Sequence, residues 1–166
     1  MQRRRLLALV AAGVGAGLSQ LAGCGFELRR APEMHFSSIA LVGFAPKSPL
    51  EAELRSTLAG QVRVLDAPGS ADVVLEATED GRDRTVVAST SAGQVREMQL
   101  RVRLHFRART RDGRLPIPPA ELLLTRDMLY NETAALGKQQ EEEELFRDMQ
   151  RDVVTQVLGR LAAIQL

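Results

Sequence analysis

The sequence predicts a two-layer α+β sandwich, in which two helices pack on one face of a mainly antiparallel or mixed sheet of four to five strands. Near residues 48–59 and 138–164, apolar side chains recur at the spacing of three and four that marks amphipathic helices. Between these segments lie runs of alternating or β-branched residues, as in strands. Because each helix has one apolar stripe and the clearest strand has one polar face, both stripes can be buried on the same side of one sheet.

The N-terminus is typical of a secretory signal. Arginines occupy positions 3–5, and residues 6–18 form an apolar stretch. A transmembrane helix is the alternative, but this run is shorter than the roughly 20 residues that cross a bilayer. Residues 21–24 read Leu-Ala-Gly-Cys, which resembles the bacterial lipobox and contains the only cysteine of the chain.

The lipobox resemblance implies that Cys24 is a lipid anchor. Its sulfur would receive diacylglycerol, the signal would be cut before it, and the new amino group would be acylated, for example with palmitate. The alternative is an adventitious cysteine after an ordinary cleavage site. The predicted division is a signal peptide at 1–23, an acylated N-terminus and tether at 24–34, and one domain at 35–166. Gly25 follows the cysteine in place of an aspartate, which suggests the outer membrane by resemblance to enterobacterial sorting.

The charge balance excludes a general nucleic-acid binder. Three of the 22 basic residues lie in the signal, which leaves 19 against 21 acidic residues, a formal net charge of −2. Proteins that bind nucleic acid through a general electrostatic footprint are strongly basic. Any basic patch on this chain must therefore be local.

The first half of the domain reads as strand, helix, strand. A β-branched and aromatic run predicts a strand at 35–44. Residues 48–51 read Ser-Pro-Leu-Glu, a capping box with proline in the first turn, and the helix that they begin should end at Gly60. Its apolar face consists of Leu50, Leu54 and Leu58. Alternation then predicts a short strand at 61–66.

Three more extended segments follow. The first covers 71–78 and continues through 84–90, either as a hairpin or past a bulge at 79–81. The last covers 121–130, and prolines 116, 118 and 119 before it suggest a sheet edge or a bulge. The final helix, at about 138–164, has glutamates 141–144 near its positive end. Its stripe consists of Phe146, Met149, Val153, Val157, Leu161 and Ile164.

The most regular pattern runs along residues 98–109. One parity is apolar, with Met98, Leu100, Val102, Leu104, Phe106 and Ala108, and the other is polar, with Gln99, Arg101, Arg103, His105, Arg107 and Arg109. This predicts a half-buried strand whose cationic side is left uncovered by helices. Two interpretations remain open: a solvated face balanced by acids on neighbouring strands, or a row that receives phosphates or acidic side chains.

No catalytic motif is present. Neither His35 nor His105 has a spaced ligand partner, and the cysteine is the predicted anchor, so no metal site and no cofactor are expected. There is also no nucleophile elbow. We predict that the chain is not an enzyme, and a hydrolase with dispersed catalytic residues is the alternative.

Several segments together resemble the LptE family of lipopolysaccharide-assembly lipoproteins. They are the Cys-Gly-Phe-Glu-Leu-Arg start at 24–29, the strand-helix-strand opening, Gly93-Gln94 before the long strand, and the Ala-Ala-Leu-Gly-Lys approach to the last helix at 134–138. The resemblance implies a non-enzymatic, lipid-anchored protein on the periplasmic side of the outer membrane. It would lie within the lumen of an LptD-type β-barrel, help that barrel to assemble and bind lipopolysaccharide. A periplasm-facing lipoprotein that binds another acidic ligand or protein is the alternative.

The resemblance also implies ligand contacts. Family members place a basic residue just ahead of the last helix, and Lys138 fits that position. A second basic residue is expected in the hairpin before the glycine-glutamine pair, where this chain has Thr-Ser-Ala at 90–92. Arg96, or Arg101 and Arg103 on the long strand, could take its place.

Overall fold

The computed structural model describes residues 32–166, so the predicted signal, Cys24 and most of the tether lie outside the described residues. The described part contains five strands and two α-helices. The strands are β1 (Ser38–Val42), β2 (Arg63–Leu65), β3 (Val73–Ser89), β4 (Val95–Thr110) and β5 (Ile117–Leu129). The helices are α1 (Pro49–Ala59) and α2 (Ala135–Ala162), and short 3-10 turns lie at Pro68–Ser70 and Glu132–Ala134.

The five strands form one mixed sheet in the order β2-β1-β3-β4-β5. Strand β1 pairs in parallel with β2 and β3, and β4 pairs antiparallel with β3 and β5. Both helices bury their stripes with one face of this sheet in a single core. The predicted two-layer α+β sandwich is therefore confirmed.

The residues buried in the core are the apolar ones that the strand and helix patterns predict. The apolar parity of β4 is buried from Leu100 to Ala108, whereas its polar parity is only half-buried. Helix α1 buries Leu50, Leu54 and Leu58, and the Ser48 hydroxyl accepts a hydrogen bond from the backbone N–H of Glu51 at 3.1 Å. Helix α2 buries the predicted stripe as far as Leu161, together with Val154 and Leu158, and Ile164 is buried just after the helix ends. Aliphatic burial along two helices and one sheet face thus holds the layers together.

Strand β3 is one continuous element. Of the two predicted continuations, a hairpin or a bulged strand, the structure has the bulged strand. The pairing with β4 shifts by one residue between Ala77 and Glu79, so Thr78 is the extra residue of a β-bulge. Before the bulge, Val73 and Leu75 face the helices. After it, Arg82 and Arg84 pair with core residues of β4 and therefore face the helix side.

Among the boundaries that differ from the prediction, the starts of β5 and α2 matter most for the candidate residues. Strand β5 begins at Ile117, earlier than expected, and tolerates Pro118 and Pro119 because it lies at the edge of the sheet. Helix α2 begins at Ala135, so Lys138 lies inside its first turn. Among residues 32–166, no helix is both long enough and apolar enough for a membrane span.

Candidate functional site

The polar parity of β4 forms the centre of what we call the open face, the side of the sheet opposite the helices. Arg101 lies 2.9 Å from Asp83 on β3, measured from Nε to Oδ1. Arg107 lies 2.8 Å from Glu76 on the same strand, measured from Nη2 to Oε2. Arg101 and Arg107 are thus matched by acids of β3, as the first of the two interpretations predicts, whereas Arg109 forms no ion pair within residues 32–166.

The middle of the open face is a four-residue charge cluster. Arg103 lies 3.1 Å from Glu79 on β3 and 3.7 Å from Glu121 on β5. The ring of His105 lies between the same two carboxylates, with Nδ1 3.3 Å from Glu79 and Nε2 3.2 Å from Glu121. The hydrogen bond with Glu79 raises the pKa of the Arg103 guanidinium. These side chains are 34% to 51% exposed, so water screens each pair and each contributes little to stability.

On the other side of the sheet, an open groove of about 710 Å³ lies between residues 82–84 of β3 and the first turns of α2. We call it the α2 groove. Its lining is mixed and includes Arg82, Arg84, Tyr130, Leu136, Glu142 and Phe146. It therefore offers cations and apolar surface within one concavity, as a ligand with charged and apolar parts requires.

Two arginines bring positive charge to the α2 groove from β3. Nη1 of Arg84 lies 2.8 Å from Oε2 of Glu142. The guanidinium of Arg82 lies 5.3 Å from the centre of the Phe146 ring, a cation–π contact. The sequence analysis missed both arginines because strand parity counted from Val73 assigns them to the open face, and only the bulge at Thr78 places them on the helix side.

Two of the candidate residues lie at the end of the sheet where the chain enters α2. Nζ of Lys138 lies 2.7 Å from Oε2 of Glu141, and its side chain is 21% exposed. Arg96 lies on β4 beside Tyr130, whose N–H donates to the Arg96 carbonyl at 2.8 Å. Tyr130 lines the α2 groove, and so does Gln139, which follows Lys138 in the chain, so the backbone of both candidates borders the groove.

The structure thus divides the candidates between two faces. Lys138 and Arg96 lie near the α2 groove, whereas Arg101 and Arg103 lie on the open face. Cys24 is outside the described residues. Within residues 32–166, no group of three or more His, Cys, Asp or Glu side chains could hold a metal ion.

The family model for LptE, described as lipopolysaccharide-assembly, matches residues 36–161. The chain belongs to the LptE family. This range covers both helices almost completely and all five strands. The predicted family is therefore confirmed by a match over the folded domain, and the chain is a lipopolysaccharide-assembly protein.

Solved structures agree with the LptE fold. The solution structure of uncharacterized lipoprotein B from Nitrosomonas europaea has a TM-score of 0.70 at 24% identity and covers 84% of this chain and 91% of its own. The crystal structure of rare lipoprotein B from Shewanella oneidensis has a TM-score of 0.63 at 22% identity, with 76% and 95% covered. A minor lipoprotein from Acinetobacter baumannii gives 0.62 at 23%, with 78% and 93% covered. No curated protein matches the chain.

Proposed function

We propose that this LptE-family protein is a non-enzymatic outer-membrane lipoprotein, anchored through Cys24, that sits within an LptD-type β-barrel, helps the barrel to assemble and binds lipopolysaccharide on its way to the outer leaflet. The observation that carries the proposal is the family match, which spans residues 36–161 and thus nearly the whole described domain. No cofactor is part of this role, because it rests on binding and not on a reaction.

The anchor keeps the protein at one membrane surface. Each buried methylene of an acyl chain contributes about 0.8 kcal/mol, and one chain alone gives only reversible attachment. Diacylglycerol on the Cys24 sulfur together with an acyl group on its amino nitrogen supplies several chains. The predicted arrangement at the N-terminus is therefore strong enough for stable attachment.

The open face suits the lumen of a barrel. Barrel interiors of this class are polar, and the open face presents arginines, glutamates and a histidine in alternating contact. Such a surface can exchange its exposed pairs for pairs with lumen residues at small cost, because each exposed pair is worth little. The open face therefore favours contact with the barrel.

The α2 groove suits the ligand. Lipopolysaccharide combines phosphates with acyl chains, and the groove lining combines Arg84 with apolar Leu136 and Phe146, while Lys138 follows Leu136 by two residues in α2. Charge-assisted hydrogen bonds to phosphate are about twice as strong as neutral ones, and arginine can make them in pairs. We therefore assign lipopolysaccharide contact first to Lys138 and Arg96, and keep Arg101 and Arg103 as the second pair of candidates.

Purification of the acylated full chain from detergent-solubilised membranes tests the barrel partner. We expect one barrel protein to accompany the chain in a one-to-one ratio. If no barrel protein is retained, the alternative role as a periplasm-facing lipoprotein with another acidic ligand or protein partner is favoured. A Cys24→Ser chain, which cannot be acylated at sulfur, serves as the control for membrane extraction.

Two charge-reversed variants test the ligand contacts. We expect Lys138→Glu with Arg96→Glu to weaken lipopolysaccharide binding by about tenfold or more, because charge-assisted hydrogen bonds contribute roughly 1.5–3 kcal/mol. The matched variant Arg101→Glu with Arg103→Glu reverses the same amount of charge on the opposite face. Circular dichroism checks that both variants are folded. A loss confined to the second variant would move the ligand to the open face.

A further inference from the structure

We infer that Glu141 and Glu142 are specificity-determining residues. In the absence of ligand, Glu142 occupies Arg84 of the α2 groove and Glu141 occupies Lys138 in the first turn of α2, and phosphate must displace both. The inference rests on the proposed lipopolysaccharide binding and adds the residues that set its affinity. Both residues are acids, which by themselves repel an anionic ligand, and here they decide which anions can bind.

The geometry shows two adjacent acids holding two cations from different elements. Glu142 reaches across the groove to Arg84 on β3, at 2.8 Å. Glu141 holds Lys138 on its own helix, at 2.7 Å. The carboxylates therefore occupy the donors of both a guanidinium and an ammonium group, the groups that would otherwise meet a phosphate.

The exposure of the four side chains makes exchange feasible. The Arg84 side chain is 60% exposed and that of Glu141 is 47% exposed, so water and solutes reach both pairs. By contrast, the side chains of Lys138 and Glu142 are 21% and 16% exposed. Partly covered charges need a counter-ion, and Lys138 will hold whichever anion binds it most strongly.

This competition favours ligands with high charge density. A monovalent carboxylate gains little by replacing another carboxylate. A phosphate brings up to about two charges and three acceptor oxygens, so it can displace an internal glutamate. The two glutamates therefore raise the threshold for binding and select lipids that carry a phosphate monoester over singly charged anionic lipids.

Glu144 provides a matched control on the same helix. It lies two residues after Glu142, has the same charge and is exposed, and within residues 32–166 it makes no ion pair. Its replacement by glutamine removes the same charge from α2 without freeing a cation. A gain that comes only from reduced long-range repulsion would appear equally in Glu144→Gln.

The experiment measures binding of the acylated full chain to phosphatidylcholine vesicles that carry lipopolysaccharide, with or without its lipid A phosphates. We expect Glu141→Gln with Glu142→Gln to tighten binding by about three- to tenfold, the range for releasing two exposed ion pairs. Glu144→Gln should change it by less than about twofold. With dephosphorylated lipopolysaccharide the gain should disappear.

A third set of variants confirms which cation is released. In an Arg84→Gln background, the gain from Glu142→Gln should vanish, since the cation that the acid occupied is gone. The single Glu142→Gln variant also keeps the test available if the double variant does not fold. A gain that persists without Arg84 would contradict the inference.

The outcomes separate this inference from the proposed function. If the unchanged protein binds lipopolysaccharide and Lys138→Gln weakens it, but the glutamate variants bind as before or more weakly, only the inference is overturned. An equal gain in Glu144→Gln also overturns it. If neither the unchanged protein nor the glutamate variants bind lipopolysaccharide, both the inference and the proposed ligand fail.

Discussion

Gly43 follows β1 at a point where the backbone has no room for a side chain. Its φ is +79°, and a Cβ atom there would lie 2.1 Å from the carbonyl oxygen of Ala77. Ala77 is the residue that precedes the bulge in β3, so this approach holds the chain after β1 against the bend of its neighbour. A glycine is required both by the backbone conformation and by the contact.

We expect Gly43→Ala to lower the free energy of unfolding by about 2–4 kcal/mol, because the added methyl group forces backbone atoms apart. Urea denaturation measures the loss. Gly159→Ala is the control, since a Cβ at this position in α2 meets open space. That change should raise stability by up to about 1 kcal/mol, the helix preference of alanine over glycine. Similar effects at the two positions would contradict the steric argument.

Asp72 joins the beginning of β3 to the beginning of β1. Its carboxylate accepts a hydrogen bond from the Ser38 hydroxyl at 2.8 Å and another from the Ser37 N–H at 3.2 Å. The Ser38 hydrogen bond, ahead of the backbone N–H groups and the charge of Arg111, lowers the pKa of the Asp72 carboxyl below its usual value. The ionised form of Asp72 therefore stabilises the folded state more than the protonated form does.

This lowered pKa fixes the sign of a pH dependence. The stabilisation by Asp72 is complete above the unfolded-state pKa of about 4 and is lost as the pH falls through the lower folded-state pKa. We expect Asp72→Asn to cost about 1–2 kcal/mol at pH 7 and progressively less in acid. Urea denaturation between pH 7 and pH 2 measures both. A cost that does not change with pH would show that charge plays no part.

Strand β4 and strand β3 differ in how well the sequence predicts them. The alternation of β4 is unbroken, so every side chain from Met98 to Arg109 could be assigned to the correct face. In β3, the extra residue Thr78 changes the parity, and nothing in its side chain marks that position. The open face was therefore predictable, whereas the arginines of the α2 groove were not.

Helix α2 is the element that covers most of the sheet, and its stripe was predicted from spacing alone. Met149 lies at the centre of that stripe and is completely buried. We expect Met149→Ala to cost about 2–4 kcal/mol, because the shorter side chain leaves a cavity between helix and sheet. Gln156→Ala, at an exposed position of the same helix, should change stability by less than about 0.5 kcal/mol. Thermal and urea unfolding measure both.

At the scale of the whole molecule, the two faces of the sheet differ in chemical character. The helix side contains the core and the α2 groove, and the open side presents paired charges. Composition and periodicity predict this division. They cannot predict which acid meets which arginine, because the partners of Arg103 come from β3 and β5, and strand register is set by the complete sheet.

The proposed anchor at Cys24 also concerns the whole protein. We expect Cys24→Ser to release the domain from membranes into the soluble fraction, because serine has no sulfur atom to which diacylglycerol can be attached. Fractionation with mass spectrometry of the N-terminus measures this. The far-ultraviolet circular dichroism of the released domain should match that of the acylated protein. Retention of the serine variant on membranes would contradict an anchor at this residue.

The bulge at Thr78 reverses which side of the sheet the next residues of β3 face, as far as Val86. Deleting Thr78 would leave Ala77 opposite Phe106 and Glu79 opposite His105, so the guanidinium groups of Arg82 and Arg84 would stay beside α2. A one-residue deletion or insertion between Thr78 and Arg82 would instead turn Arg82 and Arg84 to the open face and bring Asp83 to the helix side. In relatives of this chain, the position of a single alignment gap therefore decides whether this part of the strand presents two arginines or a lone aspartate to the helix side.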